Sequence, residues 1–110
     1  IRENSAGQPL PPDYHPVEPS GIIPDIQPGE RWAAYDGESS AGSLQAFYLR
    51  EMLARGWLVD ELTPYPGPSD LGFARMRFVR QADSITIGIM PKGNARRLAA
   101  SHASVVMRYH

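Results

Sequence analysis

Seven of the chain's eleven prolines, Pro9, Pro11, Pro12, Pro16, Pro19, Pro24 and Pro28, fall within its first 28 residues. A proline fixes its own φ, removes a backbone donor and pushes the residue before it toward extended geometry, so neither a helix nor a central strand fits here. The spacing predicts an extended arm, partly polyproline II and stiffer than a Gly/Ser linker, over residues 1–29. The arm also carries Leu10, Tyr14, Val17, Ile22, Ile23 and Ile26. A purely solvated spacer has no use for these, so they are expected to lie on a surface, as extended segments do when they dock along a groove or a sheet edge. On this reading, removing residues 1–28 leaves a folded domain.

The remaining residues, 30–110, read as one compact unit with a small core. "ERWAAY" suggests a first strand, and a helix is expected from about Leu44 to Arg55 with Ser43 as its N-cap. Tyr48/Met52 and Leu49/Leu53 form i,i+4 pairs that, with Ala46, predict one broad apolar helix face. Gly56 stops the helix, and Trp57 after it is placed to pack back on Met52, as a Schellman ending requires. "WLVDEL" follows as a strand, and "TPYPGPSDLG" as a rigid loop. "FARMRFVR" and "ITIGIM" alternate apolar and polar residues, with Ala74, Met76, Phe78, Ile85, Ile87 and Ile89 facing inward, and predict a hairpin. "SVVMRYH" closes the chain as a strand with Val105, Met107 and Tyr109 on one face. One helix and four to five mainly antiparallel strands predict an α+β fold, the helix laid across one face of the sheet and preceded by the Pro-rich arm.

The absence of cysteine excludes a disulfide framework, a cysteine zinc site and a thiol nucleophile. "DYHPVE" brings Asp13, His15 and Glu18 close in sequence, but Pro16 holds that segment extended and makes their side chains diverge, so no metal site is expected. Ser101 beside His102 and Asp83 beside Ser84 lack a nucleophile elbow, and Asp60 and Glu61 fall on opposite faces of a strand. No cofactor and no catalysis follow from these patterns.

Charge is divided along the chain. Residues 1–70 hold eleven carboxylates against four arginines, whereas residues 71–110 hold seven basic residues against Asp83 alone. Such a division fits two halves that attract each other, or a basic face. Arg75, Arg77, Arg80, Arg96, Arg97 and Arg108 are the candidates for a face that binds anionic ligands or nucleic acid, although no aromatic alternates with Arg75 and Arg77 to stack bases. Tyr14, Tyr65 and Tyr109 lie outside the expected core and are the aromatic interface candidates.

"SLQAFYLREMLARGWLVDEL", "MRFVRQADSITIGIMP" and "VVMRYH" together resemble small helix-on-sheet accessory domains of bacterial envelope and periplasmic lipoproteins of uncharacterised function. The resemblance covers about two thirds of the chain and rests on a helix stop and a hairpin. It implies a soluble scaffolding role in the bacterial envelope or periplasm and carries no site residues. The chain departs from it in having no lipobox cysteine and a long Pro-rich N-terminus. The expected function is therefore a non-catalytic protein-interaction module that docks on a protein partner or on its own copies through the arm, with Leu10, Tyr14, Val17, Ile22, Ile23, Ile26 and Tyr65 as contacts. The arginine face is the alternative.

Overall fold

A computed structural model describes residues 1–64, 74–92 and 102–110. Strands β1 (Arg2–Glu3), β2 (Pro9–Leu10) and β3 (His15–Val17) lead through a 3-10 turn at Pro19–Gly21 to β4 (Arg31–Asp36), helix α1 (Ala41–Ala54), β5 (Leu58–Thr63), β6 (Ala74–Arg80), β7 (Asp83–Pro91) and β8 (Ala103–Tyr109). Six of the strands form one antiparallel sheet in the order β3-β4-β8-β7-β6-β5, and β1 pairs with β2 in a separate hairpin. The α+β class and the single helix on an antiparallel sheet match the expectation. The sheet is larger than expected because the Pro-rich segment contributes β3. No helix among the described residues is long and apolar enough to cross a membrane.

The alternation expected of β6 and β7 is present. Ala74, Met76 and Phe78 oppose Ile89, Ile87 and Ile85 across the hairpin, and all six are buried on the face that carries α1. Val105 and Met107 of β8 continue these rows. The helix contributes Ala41, Leu44, Tyr48 and Met52, a narrower stripe than its sequence suggests, with Ala46 and Leu53 left exposed. Its N-cap is Ser40, not Ser43. Ser40 is extended (φ −74°, ψ 162°), and its hydroxyl accepts from the Ser43 backbone N–H at 3.2 Å, so Ser43 supplies the free amide instead of capping it. The C-terminal stop follows the expected geometry: Gly56 has φ 87°, its N–H donates to Leu53 O, and the Trp57 N–H reaches back to Met52 O at 3.1 Å. Trp57 and Met52 are both buried in the core cluster.

The N-terminal segment is not a free arm. Leu10 and Tyr14, at 5% and 1% exposure, belong to the core. Proline permits this because the segment pairs only where a missing donor costs nothing. β3 is an edge strand of three residues, and β1–β2 is a two-residue ladder. The Tyr14 hydroxyl donates to Ala103 O at 2.7 Å and accepts from the Ser39 N–H at 3.1 Å, while the Ala103 N–H donates to Ser39 O at 2.9 Å. Burial pushes the Tyr14 phenol pKa up, and Ser39 opposes that. Asn4 ties the β1–β2 hairpin down by donating to the hydroxyls of Tyr35 and Tyr109, and the Tyr48 hydroxyl donates to Pro9 O. The expectation that residues 1–29 stand apart from the domain is corrected by these contacts: Leu10 and Tyr14 are part of the domain's own core.

Three stability outcomes follow. Tyr14→Phe leaves the Ser39 N–H and Ala103 O without their buried partner and is expected to cost about 1–3 kcal/mol in denaturant unfolding. Deletion of residues 1–28 is expected to abolish the cooperative unfolding transition, because it strips Tyr14 and Leu10 from the core. Gly56→Ala meets open space apart from Arg80 Cδ at 3.8 Å. Its cost should therefore be the left-handed backbone penalty alone, on the order of 1–2 kcal/mol, and a near-zero change would show that the helix ends without it.

Candidate functional site: the outer face of the sheet

Because side chains alternate along a strand, the register fixes what the face away from α1 displays. One row reads Val17, Ala34, Val106, Gly88, Arg75 and Thr63 from β3 to β5. The next reads Trp32, Arg108, Thr86, Arg77 and Glu61. Three of the six candidate arginines, Arg75, Arg77 and Arg108, thus come together on this face. Arg80 does not. It ends β6 beside the helix stop, donates to Arg55 O at 3.0 Å and lies over the Trp57 ring at 4.4 Å. Arg96, Arg97 and Tyr65 lie outside the described residues.

The three arginines differ in how they are held. Arg108 pairs with Glu30 at 2.8 Å and lies over the Trp32 ring at 5.4 Å. Trp32 is the aromatic on this face that strand alternation within β6 does not reveal, since it arrives from β4 by cross-strand register. Its Nε1 is buried without a hydrogen bond, although it faces Glu30 closely enough to help hold that carboxyl below the usual range, behind the larger effect of the Gln27 N–H. Arg77 donates to Ser84 Oγ at 2.9 Å and pairs with Asp60 at 3.2 Å. A bulge between Val59 and Glu61 breaks the alternation of β5. Asp60 and Glu61 both come alongside Arg77 for that reason, instead of on opposite faces. The Arg75 guanidinium has neither an ion pair nor a hydrogen bond among the described residues.

Arg75 stands at the rim of an apolar trough of about 140 Å³ lined by Ile23, Trp32, Thr86, Gly88, Met90 and Val106. Ile23 forms one wall of the trough, so this part of the N-terminal segment shapes the surface. Val17, Ile22 and Ile26 are half-buried, and Leu10 and Tyr14 are buried. The expected contact set of the arm is therefore split between core and surface.

A second hollow, of about 580 Å³, opens at the β3–β4 corner among Asp13, His15, Asp36, Glu38, Lys92 and His102. Asp36 is already engaged by Lys92 at 3.6 Å and by the Ser104 hydroxyl. No group of three or more His, Cys, Asp or Glu among the described residues is arranged to hold a metal ion. His102 lines this hollow, whereas Asp83 and Ser84 line a separate cleft with His110, so these three do not converge on one centre.

His110 reports the electrostatics of the face. Its Nε2 is 2.8 Å from Thr86 Oγ1, and burial together with the charges of Arg108, Arg77 and Arg75 lowers its pKa. Removing one of those charges must raise it. Arg77→Gln is expected to move the His110 midpoint upward in an NMR titration, and an unchanged midpoint would show that the charges do not sum there.

No family model, curated protein or solved structure matches the chain.

Proposed function

We propose that the chain is a non-catalytic protein-interaction module that receives an acidic, apolar-tipped polypeptide segment on the outer face of its sheet. The observation that carries this reading is Arg75, a guanidinium without a carboxylate partner at the rim of an apolar trough. A carboxylate on the incoming segment would supply the missing partner while an apolar neighbour fills the trough, and a charge-assisted bond of this kind gives orientation as well as affinity. The docking surface is the sheet face shaped by Ile23, in place of a free N-terminal arm. The resemblance of residues 44–110 to accessory domains of the bacterial envelope supports a scaffolding role in that compartment. Nucleic acid fits less well: Arg77 and Arg108 are already paired with carboxylates, and the chain's net charge is −1.

Fluorescence anisotropy with a labelled peptide of alternating Glu and Leu, against a single-stranded oligonucleotide, separates the two. Peptide binding that survives moderate salt in part and is lost in Arg75→Glu supports the proposal. Oligonucleotide binding that falls steeply with salt would replace it with the nucleic-acid reading. Binding of neither overturns both.

A further inference from the structure

At the end of the sheet where β4 begins and the β6–β7 hairpin turns, a cleft of about 190 Å³ is lined by Gln8, Arg31, Arg80, Asp83, Ser84 and His110, with the rings of Trp57 and Tyr109 in its walls. Two guanidinium groups enter it, and each is held on an aromatic ring. Arg80 lies 4.4 Å from the Trp57 centroid and Arg31 lies 5.2 Å from that of Tyr109. Neither has a carboxylate partner among the described residues; Arg80 spends one N–H on Arg55 O. The rings are themselves fixed. Trp57 is buried behind the helix stop, and the Tyr109 hydroxyl accepts from Asn4 and donates to Gln8 Oε1 at 2.9 Å.

A guanidinium stacked on a ring keeps its in-plane N–H donors free and loses little rotamer entropy when it binds. From two such groups on one small cleft we infer a binding site for a small ligand with a single anionic head, a carboxylate or a phosphate monoester, clamped between Arg31 and Arg80. The site is distinct from the outer-face trough, shares no lining residue with it and is independent of what occupies it. Asp83, which also lines the cleft, repels a polyanion and can accept from a hydroxyl or amine on the ligand, so a small hydroxy- or amino-substituted anion fits better than nucleic acid. The hairpin of residues 2–10 closes the cleft through Gln8 and Ala6. This gives the N-terminal segment a role in ligand binding as well as in the core.

Calorimetric titration of the full chain with inorganic phosphate and, separately, with glycolate tests the site and distinguishes the two head groups. Saturable binding of either one, weakened about tenfold by Arg31→Gln and by Arg80→Gln, is the expected result. Arg31 is exposed and its guanidinium donates to no backbone carbonyl among the described residues, so Arg31→Gln keeps the test valid if Arg80→Gln loosens the helix stop. Arg75→Gln, on the trough, is expected to leave this binding unchanged. Absence of saturable binding, indifference to Arg31→Gln, or an equal loss in Arg75→Gln would overturn the inference, the last because it would reduce the effect to general cationic attraction.

Discussion

The phenol of Tyr14 is the interaction on which the rest of the arrangement depends. It joins three segments distant in sequence: the N-terminal run before β3, the β4–α1 connection at Ser39 and the start of β8 at Ala103. Its ring is accommodated because residue 37 is glycine; a Cβ there would fall inside the ring's own atoms. Buried hydroxyls are costly unless both their donor and acceptor capacity are used, and this one uses both. Once Tyr14 is fixed, His15–Val17 fall into register with Ala34–Asp36, and the edge strand follows.

That anchor decides which surfaces the N-terminal segment shapes. With Tyr14 and Leu10 inside, the N-terminal segment's core-facing side chains are taken up within the domain, and Ile23 becomes a wall. Ile23 raises one side of the trough over Val106 and Gly88, while the hairpin at Asn4–Gln8 covers the far end of the sheet beside Tyr109. The same proline-rich run thus borders both candidate sites. The helix face is filled by Tyr48, Met52 and Leu44, which leaves the opposite face as the one with chemistry to present.

Local signals were legible in the sequence. The period-two alternation of residues 74–79 and 85–90 fixed which side chains are buried, and Gly56–Trp57 carried the helix stop in two residues. What was not legible depends on partners far along the chain. Tyr14 reads as surface because it lies between Pro12 and Pro16 in a polar stretch, and only the complementarity of Gly37 and the carbonyl of Ala103 makes a cavity for it. The arginine row is similar: Arg108 and Trp32 are 76 positions from one another, and register alone makes them neighbours. The bulge at Asp60 has no sequence signature in "LVDEL", so strict alternation placed Asp60 and Glu61 on opposite faces.

Part of the opposed charge of the two halves is consumed in joining them. Arg108 meets Glu30, Arg77 meets Asp60 and Lys92 meets Asp36, each pair linking a basic residue of the C-terminal half to a carboxylate of the N-terminal half. Exposed pairs of this kind contribute little stability individually, so their main consequence is subtraction: they remove cations from the set available to a ligand. Among the described arginines of the C-terminal half, Arg75 and Arg80 are left without a carboxylate, and Arg31 joins them from the other half. A chain whose formal charge is close to zero therefore presents guanidinium groups without a carboxylate partner at two separate places. The reason is the way the fold distributes its ion pairs, and it has no counterpart in overall composition.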